Sequence, residues 1–597
     1  MTQIKKRSDI DEKYKWKLED VYASEEAWEI DYAAAKKLIA AIEAKKGRLG
    51  NSADELLAVL QLSDELEIKA DQLYVYAKMR RDEDNSNNKY QILYDRAENL
   101  AVQVRSATSF MVPEIISIPE DRLKSYLEEN SELAVYKHFT DQLLRQKQHI
   151  LSPEEEKILA MAADVAYASS NIFSMLNNAD IKFGKIKDEN GQEIELTKGR
   201  YGRYMESDDR RVRQEAFAAL YKSYTELKNT IATTLSSSVK KDIFYARTRK
   251  YNSALEAALA QDNVEVEVYE KLIATVHANL DKLHKYMSLR KKLLKVNELH
   301  MYDVYVPLIQ DVKMDIPYEE AKRLVINGLQ PLGSEYLAKL EEGLEAGWID
   351  VYENEGKTSG AYSWGSYKTH PYVLLNFDDK LDDAYTLAHE MGHSMHTYYS
   401  NLTQPYVYSQ YSIFVAEVAS TVNESLLIDY MIKEAKDEKE KMYLINHYLE
   451  QFRGTLFRQT MFAQFEKIIH EEVEKGEALT PEALSSIYLE LNKKYYGPEV
   501  VLDEEIAMEW ARIPHFYSAF YVYKYATGFS AATALKEQIL QEGEPAVKRY
   551  IDFLKAGSSD YPVNVLQKAG VDLTKPEPVQ EALDYFGRLV DEMEKLV

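Results

Sequence analysis

The sequence predicts a mainly α-helical molecule of two lobes with one small β-sheet, and three observations predict it. Its 597 residues exceed what a single hydrophobic core organises, so at least two packed lobes are expected. Apolar residues recur at steps of three and four along most of the chain, the spacing that stacks side chains on one helix face. Extended β-branched and aromatic runs are confined to two places, residues 181–196 and 302–377.

Between residues 52 and 179 the helical period is carried by Val59, Leu62, Leu66, Ala70, Leu73 and Ala77, and again by Leu93, Ala97, Leu100 and Val104. Ser52-x-x-Glu55 and Ser152-Pro153-x-Glu155 each place a capping hydroxyl three residues before a carboxylate that can return a hydrogen bond. At 181–196 two short runs flank Asp188-Glu189-Asn190-Gly191, where Asn-Gly supplies the positive dihedrals of a tight hairpin. A helical N-terminal lobe over residues 1–200, ending in that hairpin, is therefore expected to precede a second, larger lobe over 201–597. Helices resume to about residue 296. The stretch 302–377, punctuated by Gly356, Gly360 and Gly365, is the other expected source of sheet. From Asp379 onward the pattern is helical again, with Thr480-Pro481 as a cap and first-turn proline. The 45 tyrosines cluster at 362–372, 398–411 and 495–525, where most are expected to be packing residues.

Composition narrows the chemistry. With 45% apolar and 29% charged residues the chain is globular in character. A net charge of -25 repels phosphate backbones and anionic lipid, so neither nucleic acid nor a membrane is an expected partner. The absence of cysteine excludes disulfides, thiolate nucleophiles and cysteine-ligated zinc, leaving His and carboxylates as the available metal ligands. The N-terminal segment lacks the apolar core of a signal peptide, and no run approaches the ~18 uncharged apolar residues of a membrane span. The cytoplasm is the expected location, and a monomer or small homo-oligomer the expected state.

The informative segment is His389-Glu390-Met391-Gly392-His393, an H-E-x-x-H pattern. On a helix, residues four apart lie about 40° apart in direction and one turn apart in height, so both imidazoles can face one ion. Asp378 or Asp379 is expected to cap this helix. Downstream, the apolar run from Tyr411 carries Glu417, Ser420, Thr421 and Glu424 on one face. Two carboxylates on an otherwise apolar helix demand partners, and a metal with its histidines satisfies that demand. His389, His393 and Glu417 are thus the expected ligands of one zinc ion, with a fourth position left open as catalysis requires. Glu424 is the expected acceptor for the second nitrogen of a ligand imidazole. His396, about 10 Å along the axis from His389, is expected to pack instead.

Such a centre activates water and polarises a carbonyl, with Glu390 as general base for peptide hydrolysis. Donors for the developing oxyanion are sought in the segment after Pro514, which holds His515, Tyr517, Tyr521, Tyr523 and Tyr525. The runs around Gly360, Tyr362 and residues 371–377 read as strands, and an edge strand there could pair with an extended peptide.

These residues resemble the M3 family of zinc peptidases, and within it the oligoendopeptidase F branch. The likeness rests on His389-Glu-Met-Gly-His393, on Glu417-Val-Ala-Ser420 28 residues beyond the first histidine, and on the tyrosine-rich segment after Pro514. It implies a two-lobed helical molecule with zinc deep in a substrate channel, admitting short unstructured peptides and excluding folded proteins. It also implies that His515 and Tyr521 stabilise the oxyanion or orient the substrate. The segment lacks the glycine-rich loop of the thimet-like members, so the choice among Tyr517, Tyr521, Tyr523 and Tyr525 stays open. An exopeptidase with a similar helical cleft and a noncatalytic peptide-binding scaffold are the competing expectations.

Overall fold

In a computed structural model, which describes residues 4–309, 312 and 314–597, 72% of the chain is helical and 3% is strand. Two compact units are each assembled from three separated stretches. The first comprises Met1–Gln148, Met314–Tyr430 and Leu535–Gly570; the second comprises His149–Lys313, Met431–Ala534 and Val571–Val597. The division expected in chain order at residue 200 therefore differs from the division by contact. The physical reason lies in the first core, which the N-terminal helices begin and a later segment completes.

In the first unit, helices α1 (Glu25–Glu43), α2 (Ala53–Glu83) and α3 (Asn88–Thr108) bury Trp28, Leu56, Leu73, Tyr76 and Leu100 in one cluster. Tyr372 and Leu374, almost 300 residues further on, belong to the same cluster. Ser52 caps α2 by accepting from Glu55 N at 3.2 Å, while Glu55 turns its carboxylate to Lys45 Nζ at 3.4 Å. The same unit holds α4 (Tyr318–Gly328) and α5 (Gly333–Glu345), followed by the strands β1 (Ile349–Asp350), β2 (Tyr362–Trp364) and β3 (Tyr372–Leu374).

The sheet order is β1-β3-β2, with β1 parallel and β2 antiparallel to the central strand. Val373 N and Leu375 N donate to Trp348 O and Asp350 O, each at 2.8 Å. Val373 thus faces β1, and Ser363, its register partner on β2, turns its own N–H and C=O away from β3. This sheet lies against α6 (Leu381–Thr403), where Ser363 Oγ and Ser394 Oγ are 2.8 Å apart. Helix α7 (Ile413–Lys433) follows.

The second unit holds the hairpin, in which Lys185–Lys187 pairs antiparallel with Glu193–Glu195. Only Gly191 of its turn is left-handed, at φ 76°. Asn190 was expected to share that role, but the Asp188 carboxylate accepts Asn190 N at 2.9 Å and Gln192 N at 2.8 Å and closes a longer loop. At Ser152 the full capping exchange forms, with Ser152 N donating to Glu155 Oε2 at 2.9 Å. A two-residue parallel pair, Leu299–His300 with Val500–Val501, adds sheet outside the two stretches expected to carry it. The buried Glu509 accepts from Arg512 at 2.6 Å and from Arg458 at 2.8 Å. Burial alone would raise its pKa, yet the two guanidiniums hold it well below the usual carboxylate range. Helical residues 153–180 are long and apolar enough to cross a membrane by length and composition, which the sequence reading did not anticipate.

Candidate active site

Helix α6 forms because its inward positions, Leu381, Ala384, Leu387, Ala388, Met391 and Met395, follow the three-and-four spacing and none is β-branched. Its start differs from expectation. Neither Asp378 nor Asp379 caps it; Asp383 reaches back from the first turn, accepting Lys380 N and Asp378 N at 3.0 Å each. Asp379 itself is left-handed, at φ 57°.

His389 and His393 leave α6 one turn apart with their rings crossed at 81°. Their Nε2 atoms lie 3.1 Å apart, and Glu417 Oε2 of α7 lies 3.3 Å from the first and 3.6 Å from the second. The chemistry of this donor set fits a zinc ion: bonds of about 2.0–2.1 Å at tetrahedral angles separate neighbouring ligand atoms by about 3.3 Å. His389 Nδ1 pairs with Glu424 Oε1 at 2.8 Å, which fixes the proton on Nδ1 and leaves the Nε2 lone pair for a cation. Burial opposes charge on His389, but Glu417 and Glu424 push its pKa up to about 10, so a cation binding at Nε2 would displace a proton. The hydrogen bonds from both histidines hold Glu417 far below the ordinary carboxylate range.

Glu390 is buried, and its Oε2 has no hydrogen-bond partner. Burial raises its pKa, opposed by the neighbouring histidines. An uncommitted carboxylate oxygen beside a cation site is the arrangement a proton-accepting group needs. His396 packs as expected: buried, with its ring stacked on Tyr411 at 3.6 Å between centroids, it has its pKa pushed down to about 3 by burial.

Three positioning residues escaped the sequence reading. Asn423 Nδ2 donates to Ala388 O at 3.1 Å, and Tyr336 OH of α5 donates to Asn423 Oδ1 at 3.0 Å, so three helices are tied beside His389. Gly392 permits the close crossing of α6 and α7, since a Cβ there would lie 2.5 Å from Ser420 Cα. The signal was present, because glycine inside a helical pattern costs about 1 kcal/mol relative to alanine and so asks for a packing reason.

The expected substrate residues separate into groups. In the first unit Tyr362 OH donates to Asp82 Oδ2 at 2.7 Å, while Gly360, at φ 85°, has its carbonyl held by Asn376 Nδ2 at 2.7 Å. Gly360, Ala361, Asn376, Phe377, Asp383 and Thr386 line a cavity of about 320 Å³ along the start of α6. In the second unit His515, Tyr521 and Tyr525 gather with ring centroids 5.4–6.4 Å apart, each half-buried. Burial lowers the pKa of His515. Tyr517 and Tyr523 do not join them. Tyr517 is stacked on Phe173 and bonded to Thr234 Oγ1 at 2.7 Å, and Tyr523 is buried against Tyr269. Both are interior packing residues, because alternate positions of the segment face the core. Phe520, left-handed at φ 57°, is fixed by donation from its N–H to the buried Glu466 Oε1 at 3.1 Å, which sets the direction in which Tyr521 leaves the chain.

Known proteins resemble this chain along its whole length. Oligopeptidase PepF of Bacillus subtilis is 52% identical over 595 residues, covering 100% of this chain and 89% of that protein. A putative peptidase from Chlamydophila abortus superposes with a TM-score of 0.94 at 37% identity, covering all of both chains. Oligoendopeptidase-F from Enterococcus faecium gives 0.73 at 40% identity, covering 96% of this chain and 99% of that one. Residues 114–183 match the oligopeptidase F model. With residues 203–585 matching the model of peptidase family M3, the chain belongs to that family.

Proposed function

We propose that this metallo-oligopeptidase is a zinc-dependent endopeptidase that hydrolyses internal bonds of short, unstructured peptides in the cytoplasm. The observation that carries the reading is the convergence of His389 Nε2, His393 Nε2 and Glu417 Oε2 beside the uncommitted Oε2 of Glu390. The two imidazoles and the carboxylate would hold the ion, and Glu424 keeps His389 in the tautomer that does so. A zinc ion in that position supplies Lewis acidity, lowering the pKa of water and polarising the scissile carbonyl.

Glu390 takes the proton of the attacking water on Oε2 and returns it to the leaving amine nitrogen. His515 and Tyr521 act as donors to the developing oxyanion or as substrate-orienting groups, a reading supported by their exposure and clustering beside Tyr525. The outward main chain of Ser363 on β2 pairs with an extended peptide, which gives affinity with little side-chain selectivity. Gly360 opens the adjoining cavity to a substrate side chain. Tyr362 serves by bracing that edge through Asp82.

The experiment is hydrolysis of an N-acetylated, C-amidated peptide, followed by mass spectrometry. Internal cleavage that a chelator abolishes and added zinc restores is the expected result. Trimming of free-ended peptides alone would make the protein an exopeptidase, and no chelator-sensitive turnover would leave a binding scaffold.

A further inference from the structure

An apolar surface outside that site lies on the helical run Pro153–Asp180 of the second unit. Helices Pro153–Ala166 and Ala168–Met175 follow one another with only Tyr167 between them. Leu159 and Phe173 bury one face of the run. A different face carries Ile158, Met161, Val165, Ile172 and Met175, each between 53% and 79% exposed. With Ala168 these positions fall at a and d of a heptad repeat, which keeps a single seam along about 25 Å of helix axis. No charged residue interrupts the stretch from Val165 through Ala179. Isolated exposed apolar side chains need no explanation, but a contiguous row of five does.

We propose that this seam pairs antiparallel with the same seam of a second copy, about a twofold axis crossing near Ala166 and Tyr167. The layers then read Ile158 against Met175, Met161 against Ile172 and Val165 against Ala168, so large side chains close the ends and small ones the centre. Charge chooses the direction. Parallel pairing would set the acidic starts of both copies side by side, above all Glu154, since Glu156 is paired with Arg249 at 2.8 Å and Glu155 caps Ser152. Antiparallel pairing separates them and brings each to the far end of the other run, where Lys182 Nζ, on Ala179 O at 3.2 Å, and Lys198 Nζ, on Asn178 Oδ1 at 3.1 Å, outnumber the exposed Asp180. The five side chains offer on the order of 600 Å² per copy, roughly 1,200 Å² for the pair, at the lower edge of specific interfaces. Self-complementarity of one patch is what a twofold dimer requires.

Sedimentation velocity of the full chain over roughly 1–100 µM tests this, since a small interface dissociates in the micromolar range. The wild type shifts from monomer to dimer, while Met161→Glu/Ile172→Glu stays monomeric with kcat/KM on a short peptide unchanged. Because the chain has no cysteine, oxidised Val165→Cys/Ala168→Cys gives a covalent dimer as a second readout. A wild type that stays monomeric throughout, or a glutamate variant that still dimerises, overturns the proposal. So does a monomeric wild type that floats with phospholipid vesicles, which gives the seam to lipid. A KM raised in the glutamate variant at concentrations where the wild type is monomeric gives it to peptide and equally overturns the dimer.

Discussion

Glu390 and His396 lie six residues apart on α6 yet differ in role. Glu390 Oε2 is buried without a partner, so replacing it by Gln conserves volume and removes only the proton-accepting charge. Glu390→Gln is expected to keep its metal, measured by elemental analysis, while kcat falls about 10²- to 10⁴-fold. His396 is buried neutral, with a pKa of about 3 against an ordinary 6.5. Between those values the unfolded chain binds a proton that the folded chain refuses, so stability present above pH 6.5 is lost as pH falls towards 3. The loss approaches about 1.4 kcal/mol per pH unit. Urea unfolding at pH 7, 6 and 5 is expected to show that slope in the wild type and a shallower one in His396→Phe, which can keep the stacking on Tyr411.

At the scale of elements, the site depends on how closely α6 crosses α7. A Cβ on Gly392 would meet Ser420 Cα at 2.5 Å and Ala419 O at 2.8 Å, atoms of main chain that cannot rotate aside. Gly392→Ala is expected to force the helices apart at a cost on the order of 1–3 kcal/mol. Thermal unfolding should drop accordingly, and zinc titration should show weaker binding as Glu417 retreats from the histidines. The crossing also explains what was legible beforehand. His389, His393, Glu417 and Glu424 could be read because local spacing fixes which side chains share a face, and uncompensated polarity on that face demands a partner. Asn423 could not, since its value lies in reaching Ala388 O on another helix, a pairing no periodicity records. The cap failed for a similar reason. Asp378, Asp379 and Asp383 all have the right chemistry, and only the left-handed turn at Asp379 decides among them. Tyr517 and Tyr521 likewise share composition but differ in direction, the first filling a core and the second leaving a strained Phe520.

Over the whole molecule, helix content followed from the periodicity, but the grouping of segments did not. Chain order says nothing of which distant strand fills a gap left between early helices. Tyr372 and Leu374 lie in the cluster built by Trp16, Trp28 and the helices α1–α3. A fragment of residues 1–200 is therefore expected to lack a complete core. Circular dichroism of it should show helix without a cooperative thermal transition, in contrast to the full chain.

The three-stretch weave of the first unit also sets a timetable for synthesis. A ribosome adds about 5–20 residues per second, so Tyr372 emerges on the order of twenty to seventy seconds after Trp16. Throughout that interval the nascent helices present an unfinished apolar surface. Such a surface is what a chaperone binds while translation continues.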